Sequence, residues 1–430
     1  MISIFSNIIV LFLPIYIWII STTEVKKFII FFLVYEYVNI FGFGISSVEK
    51  INLIWITFSI GLLTSQFIFK SLIPQNFFSK KLIFADKIAY KFLSTDIKNK
   101  LGQIFFIFIF LLIGLFLSTG ITTEYDGILN SYFFKKIFDS ATLFFTVSLI
   151  YLLDYCIDKK DFSINKLKKI FLLISTTYLA SVGATSKSTS FALLQGLFMM
   201  ITFLIYKFIQ VRKKEKFLSK FLLKNLIFYI SLSIIGTILL INFLNNLGIG
   251  NLLVVLNYRF FIETQVAINN YLSLISSGFD NWKLFSDVPL TLTPLVSPID
   301  NFLNIRTVGS LGIISSCKAV AECIANYKYE VLYPLPFWGY FDFNYFGSFI
   351  TGFIFNVIYV KLNYLYQTIS LISEEKYKFN LNLYKIILLV LILSMIIQLS
   401  AGKFLWIFTD NFIGIVIITL LILIPKIKFN

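Results

Sequence analysis

Two arginines are candidate binding residues, because the chain uses arginine so rarely. Only three of its 37 basic residues are arginines, and Arg259 and Arg306 both lie in one long segment that is neither a long apolar run nor rich in lysine. The planar guanidinium group binds two phosphate oxygens at once, whereas an ammonium group acts as a point charge. We therefore interpret both arginines as contacts to a phosphate or pyrophosphate group. The alternative is a simple ion pair between Arg259 and Glu263, which are spaced four residues apart.

Glu263 is the first candidate for a general base and Asp342 is the second. The chain contains no histidine, so acid–base chemistry has to use carboxylate, lysine, arginine, tyrosine or serine. Glu263 shares a predicted helical face with Arg259, and Asp342 lies where the chain is expected to return to the membrane. Spacing alone does not choose among the acids of this part of the chain, which also include Asp280, Asp287, Asp300, Glu322 and Glu330.

Lys187 is a third candidate contact for an anion. It lies in SVGATSKSTS, a small and polar corner between two apolar runs, where a lone cation is costly unless it meets water or an anion. Backbone amides at the start of the next predicted helix would add donors there. The alternative is a lysine whose charge reaches water from a short turn.

Neither a metal nor a cofactor is expected. Histidine ligands are absent and the three cysteines, Cys156, Cys317 and Cys323, have no zinc-binding spacing. Cys317 and Cys323 would close a small ring if they were bonded, but an amphipathic helix through the same residues would hold them too far apart.

The composition predicts an integral membrane protein. Hydrophobic residues make up 58% of the 430 residues, charged residues only 14%, and the mean hydropathy is +0.86. So few polar side chains cannot cover a soluble globule. The net charge of +15 comes from lysines that cluster in short connectors, which is how membrane orientation is encoded, so we do not expect a nucleic-acid partner.

Apolar runs of spanning length predict an all-α, polytopic protein with about eleven transmembrane helices. They lie near residues 4–20, 27–45, 51–72, 101–120, 139–157, 169–184, 189–210, 225–244, 345–366, 383–399 and 404–424. The first run lacks a basic start and a cleavage site, so it is expected to be a retained span.

The connectors predict the orientation of these spans. Four of them are rich in lysine, at residues 79–100, 158–169, 211–220 and 374–385, and the positive-inside rule places them in the cytoplasm. Counting the predicted spans between these connectors gives the same orientation for all four, with an exterior amino end and a cytoplasmic carboxyl end. The predicted domains are a transmembrane bundle at 1–244, a large exterior loop with amphipathic segments at 245–341, and C-terminal transmembrane helices at 342–430.

Three local patterns resemble the O-antigen polymerases, which join lipid-linked oligosaccharide units in Gram-negative envelopes. They are the small polar corner GATSKSTSFALL, the tyrosine–arginine start of NYRFFIETQVAINNYL, and the aromatic, glycine-rich return ANYKYEVLYPLPFWGYFDFNYFGSFITG. The resemblance covers roughly the second half of the chain. Arg259 matches the family pattern, whereas Lys187 stands where such proteins often carry arginine, and Arg306 rests on its exterior placement alone.

The resemblance implies a membrane glycosyltransferase-like fold in the bacterial inner membrane, with the large loop in the periplasm. The substrate would be undecaprenyl-pyrophosphate-linked oligosaccharide, polymerised without metal into O-antigen or a capsule-like polysaccharide. A membrane partner that controls chain length is a further expectation from the family.

A lipid-linked oligosaccharide flippase ranks second as a function, although the predicted spans carry almost no charge. An O-antigen ligase ranks third, because such ligases are expected to use an exterior histidine, and a structural or receptor role also stays open.

Overall fold

The structure is a computed structural model in which every regular element of the described residues is an α-helix and no strand occurs among them. It describes residues 2–30, 33–34, 49–72, 103–104, 106–107, 109, 144, 147–157, 189–212, 216–246, 269, 334–377, 383–401, 416 and 420. Six helices have defined bounds: α1 (Ile2–Ile20), α2 (Glu49–Leu72), α3 (Thr189–Val211), α4 (Lys216–Asn246), α5 (Leu335–Tyr377) and α6 (Leu383–Ala401). The short stretches 23–30 and 147–157 are helical as well.

Three of these helices contain a stretch long and apolar enough to cross a membrane: Glu49–Ile68, Lys216–Ile235 and Leu335–Leu371. Shorter apolar helices are present at Asn7–Ile20, Val147–Ile157, Met200–Val211 and Leu383–Ile397. Large apolar side chains such as Ile227, Phe228 and Ile234 of α4 are exposed, which suits contact with lipid. The all-helical membrane class is therefore supported, while the count of eleven spans stays a prediction.

Two helices extend beyond the apolar runs that predicted them. Helix α4 begins at Lys216, inside a connector predicted from its lysines, and α5 continues to Tyr377, beyond the run predicted at 345–366. Lysine is a good helix former, so a helix continues through residues that end a hydrophobic run. Pro336 lies in the first turn of α5, where its missing N–H group costs nothing.

The described helices belong to two compact units of the chain. The first consists of Met1–Pro74, Phe243–Leu362 and Ile392–Thr409, and the second of Gln75–Asn242, Asn363–Leu391 and Asp410–Asn430. Both units are thus assembled from segments that are distant in sequence. The predicted boundaries at 244/245 and 341/342 separate membrane-embedded segments from an exterior loop, which is not the division into compact units. They stay predictions.

In the first unit, α1, α2 and α5 run in the same direction. Phe58 of α2 lies against Gly352 of α5, and Ser65 further along α2 contacts Asn356 further along α5. The contacts of α1 follow the same order, since Tyr16 meets Asn356 and Ser21 meets Tyr359. The predicted topology requires this direction, because it assigns all three helices an exterior start.

Helices α2 and α5 approach each other closely at two glycines. A methyl group at Gly61 would overlap the carbonyl oxygen of Phe349, and one at Gly352 would overlap the carbonyl oxygen of Phe58. The obstacle is backbone in both cases, so it cannot move aside as a side chain would. Small residues at such crossings let membrane helices pack closely without a hydrophobic driving force.

We expect Gly352→Ala to lower the free energy of unfolding by about 1–3 kcal/mol, because the added methyl group pushes α5 away from α2. Denaturant titration in mixed micelles measures this loss. Ile354→Ala is the control, since Ile354 is 40% exposed on the same helix and is expected to change stability by less than about 1 kcal/mol. Equal stability of Gly352→Ala and the wild type would contradict the close crossing.

Helix α5 is broken near its start into a tight hairpin. Phe343 and Asn344 have non-helical backbone angles, and Asn344 has a positive φ of 53°. The two arms, residues 335–342 and residues from 345 onward, pack antiparallel: Ser348 Oγ donates a hydrogen bond to the Pro336 carbonyl oxygen at 2.8 Å. Gly339 and Gly347 face each other between the arms, where a methyl group on either would overlap the other's backbone. Asparagine is among the few non-glycine residues that adopt a positive φ readily.

Candidate functional site

The α5 hairpin holds Asp342, the one predicted site residue that falls within the described part of the chain. The first arm is buried along its whole length, and Asp342 at its end is only 8% exposed. The two residues of the turn that follow it are both exposed. The side chain of Asp342 therefore lies just beneath the surface of the hairpin turn, largely removed from water.

Aromatic and basic side chains surround the turn. The rings of Tyr340 and Tyr345, one from each arm, pack edge to face with centroids 4.9 Å apart. Lys50, at the start of α2, places its Nζ atom 5.8 Å from the centroid of the Tyr340 ring. Phe346 is 66% exposed next to them. The surroundings of the turn thus contain the carboxylates of Asp342 and Glu49, the ammonium group of Lys50 and two phenol hydroxyls. Carboxylates can accept the proton of a hydroxyl group, and the ammonium group can stabilise a negative charge.

A buried network of hydrogen bonds fixes the helix that carries the hairpin. Asn356 of α5 donates through Nδ2 to Ser65 Oγ at 2.7 Å and to the Leu62 carbonyl oxygen at 3.1 Å. Its Oδ1 accepts a hydrogen bond from the Tyr16 hydroxyl at 3.0 Å. One amide thereby uses both its donor and its acceptor group to join α1, α2 and α5. Such contacts fix the register of membrane helices, so this network positions the hairpin and is not itself a site of chemistry.

The second unit contains a separate cluster of buried charges. Lys207 of α3 forms an ion pair with Asp154, and these side chains are 1% and 4% exposed. Lys385 of α6, also 1% exposed, places its Nζ atom 5.5 Å from the ring centroid of Tyr151 and 5.6 Å from that of Tyr366. The Tyr366 hydroxyl donates to the Tyr151 hydroxyl at 3.4 Å.

This charged cluster corrects the interpretation of the spans as almost without charge. Asp154 and Lys207 lie inside the predicted spans 139–157 and 189–210, and both are buried. An isolated charge within a span is expensive, so each is retained only with a partner. An acid in the interior of one apolar run and a single lysine in another was the sequence signal that pointed to this pair.

The remaining predicted site residues lie outside the described residues. Lys187, Arg259, Glu263 and Arg306 all fall there, as do Cys317 and Cys323. The structure places Lys50, Tyr340 and Tyr345 around the hairpin turn that follows Asp342, and sequence reasoning did not select these three residues. Aromatic residues are so frequent in this chain that two further tyrosines near an acid carried no distinct signal.

Comparisons of the chain with protein-family models, with curated proteins and with solved structures found no match. Within the described residues, no group of three acidic or cysteine side chains is arranged to hold a metal ion.

Proposed function

We propose that the chain is a membrane glycosyltransferase that polymerises undecaprenyl-pyrophosphate-linked oligosaccharide units at the periplasmic face of the inner membrane. The observation that carries this proposal is Asp342, a buried carboxylate beneath the exposed turn of the α5 hairpin, with an ammonium group and two tyrosines around that turn. A carboxylate in such a position is suited to accept a proton from a sugar hydroxyl.

The directions of the helices support the side of the membrane assigned to this site. Helices α1, α2 and α5 run parallel, as a shared exterior start requires, and the hairpin lies at the start of α5. In the second unit, Asp154, Lys207 and Lys385 all belong to span ends that the lysine-rich connectors assign to the cytoplasm. Both units are thus internally consistent with one predicted topology of about eleven spans and a periplasmic loop.

The proposed reaction divides the chemistry between this turn and the arginines. The hydroxyl oxygen of the acceptor sugar forms a bond to the anomeric carbon of the growing chain, and its proton passes to Asp342. The bond between that carbon and the pyrophosphate oxygen breaks, and its electron pair leaves with the lipid pyrophosphate. Arg259 and Arg306, with Lys187 as a further candidate, would stabilise the departing charge, and Glu263 is the alternative base.

The arginine part of the proposal predicts a loss of polymer. With the purified chain reconstituted in liposomes that contain lipid-linked repeat units, we expect Arg259→Ala and Arg306→Ala each to lower polymer formation at least about a hundredfold. Electrophoresis of the products measures it. Arg212→Ala is the matched control, because Arg212 is the third arginine and lies exposed at the end of α3, in a connector predicted to be cytoplasmic. Normal polymer from both loop variants would contradict the pyrophosphate contacts.

A flippase for the same lipid-linked substrate is the second candidate function, and the buried Asp154–Lys207 pair is the observation that favours it. Charges within spans often mark a transport path. Deletion of the gene in its host separates the two functions. Loss of the polymer ladder with a single repeat unit still attached to the lipid core would support a polymerase. Loss of that single unit as well would indicate flipping or ligation.

A further inference from the structure

Trp338, in the first arm of the α5 hairpin, carries a buried hydrogen-bond donor that no acceptor satisfies. Its side chain is 2% exposed, and among the described residues its indole Nε1 atom has no hydrogen-bond partner. Buried donors of this kind are rare in folded proteins, because such a group gives up its bonds to water and gains none. Among the described residues, the indole nitrogen of Trp55 is buried without a partner as well, and what distinguishes Trp338 is an acid on the same helical face.

Trp338 and Asp342 lie on the same face of this arm. They are spaced four residues apart in a helical segment, which places them one turn above the other. Residues four apart on a helix have Cβ atoms about 5–6 Å apart, so one small group placed between the two side chains can reach both. The indole group can only donate a hydrogen bond, and an ionised carboxylate can only accept hydrogen bonds and has several positions for them.

A donor-only group beside an acceptor-only group is the complement of a hydroxyl group, which both accepts and donates. We propose that Trp338 and Asp342 together bind the attacking hydroxyl group of the acceptor sugar: Trp338 Nε1 donates to the hydroxyl oxygen, and the hydroxyl donates to Asp342. This inference rests on the proposed function and names the residue that orients the nucleophile. The hydrogen bond from Trp338 occupies one lone pair of the sugar hydroxyl oxygen. The hydroxyl proton then points at the Asp342 carboxylate, which accepts it.

Trp338→Phe removes the donor and keeps an aromatic ring, so it tests the hydrogen bond directly. We expect KM for the acceptor unit to rise about tenfold with kcat nearly unchanged, because the bond is present in both the bound state and the transition state. A residue that only supports the fold would lower the amount of active protein and leave KM unchanged.

Trp55→Phe is the matched control. Within the described part of the chain, the indole nitrogen of Trp55 is also buried without a partner. Its ring packs against Phe337, with centroids 6.2 Å apart, and Phe337 lies on a different face of the arm from Asp342. The same chemical change is therefore made at a position that does not adjoin the carboxylate. We expect KM for the acceptor to stay at the wild-type value in this variant.

Direct binding separates a failure of this inference from a failure of the proposed function. The affinity for a lipid-linked repeat unit is measured by fluorescence titration in lauryldimethylamine oxide, a detergent without a sugar headgroup. If the wild type forms no polymer but binds the unit about tenfold more tightly than Trp338→Phe does, the proposed function is wrong and the hydroxyl site stands. If the wild type makes polymer and Trp338→Phe has the same KM and affinity, the hydroxyl site is wrong and the function stands. Absence of binding to the wild type would overturn both.

Discussion

Polymer formation is expected to fall about a hundredfold to ten-thousandfold when Asp342 is replaced by Asn, because the amide cannot take the proton of the attacking hydroxyl. Asparagine has nearly the same size, so the hairpin turn keeps its packing. The loss should appear in kcat and should leave the affinity for the lipid-linked unit within a few fold. Single-turnover measurements on the reconstituted protein separate these two quantities.

Two further variants decide whether Asp342 is the base. Asp342→Glu restores a carboxylate, displaced by one methylene, and we expect it to recover part of the activity lost in Asp342→Asn. Glu263→Gln tests the other candidate from the sequence. Full activity of Asp342→Asn together with inactive Glu263→Gln would assign the base to Glu263 and leave Asp342 a buried structural acid.

Loss of one partner of the buried Asp154–Lys207 pair is expected to lower the free energy of unfolding by about 3–5 kcal/mol, because the other charge stays buried without compensation. Asp154→Leu and Lys207→Met each test this. The double variant is expected to regain most of that loss, since a buried ion pair and a well-packed apolar pair of similar volume are often comparable in stability. Denaturant titration in mixed micelles measures all three.

Lys220→Met is the matched control for the lysine variant. Lys220 is exposed on α4, so removing its charge should change stability by no more than about 0.5 kcal/mol. A double variant that loses as much as the sum of the single variants would show that the two residues do not act as a pair. If the double variant is stable but no longer supports surface polysaccharide, the pair has a role in transport and the flippase gains support.

For the described residues, the apolar runs predicted that helices form better than they predicted the helix ends. Helix α2 (Glu49–Leu72) begins and ends within two residues of the predicted run, because glutamate and an apolar stretch mark its start. In α5 the helix that follows the break at Phe343 and Asn344 begins at residue 345, where its run was predicted to begin, whereas the preceding arm, residues 335–342, was not predicted and is held by glycine contacts. Hydropathy measures transfer into lipid and carries no information on such backbone contacts.

The candidate site was predictable only in part, for a similar reason. Asp342 was accessible to sequence reasoning because acids are scarce and its position near a span start is visible. The grouping of Lys50 with Tyr340 depends on α2 lying beside the hairpin, and their separation of 290 positions leaves no local pattern. Trp338 was not selected because an unsatisfied donor can be recognised only after the partners of every neighbour are known.

The contacts of α5 also determine when, during synthesis, this region can assemble. The hairpin joins residues only 12 positions apart, so it can close as soon as its own segment has been made. The bonds from Asn356 to Tyr16 and Leu62 span 340 and 294 positions, so α1 and α2 enter the membrane long before their partner exists. Until Asn356 has been made, Tyr16 and Ser65 lack the side-chain amide that joins them in the folded protein. Chains released before Asn356 is made would therefore expose these unpaired hydroxyl groups, and the α5 hairpin can take its final position only after Asn356 has been made.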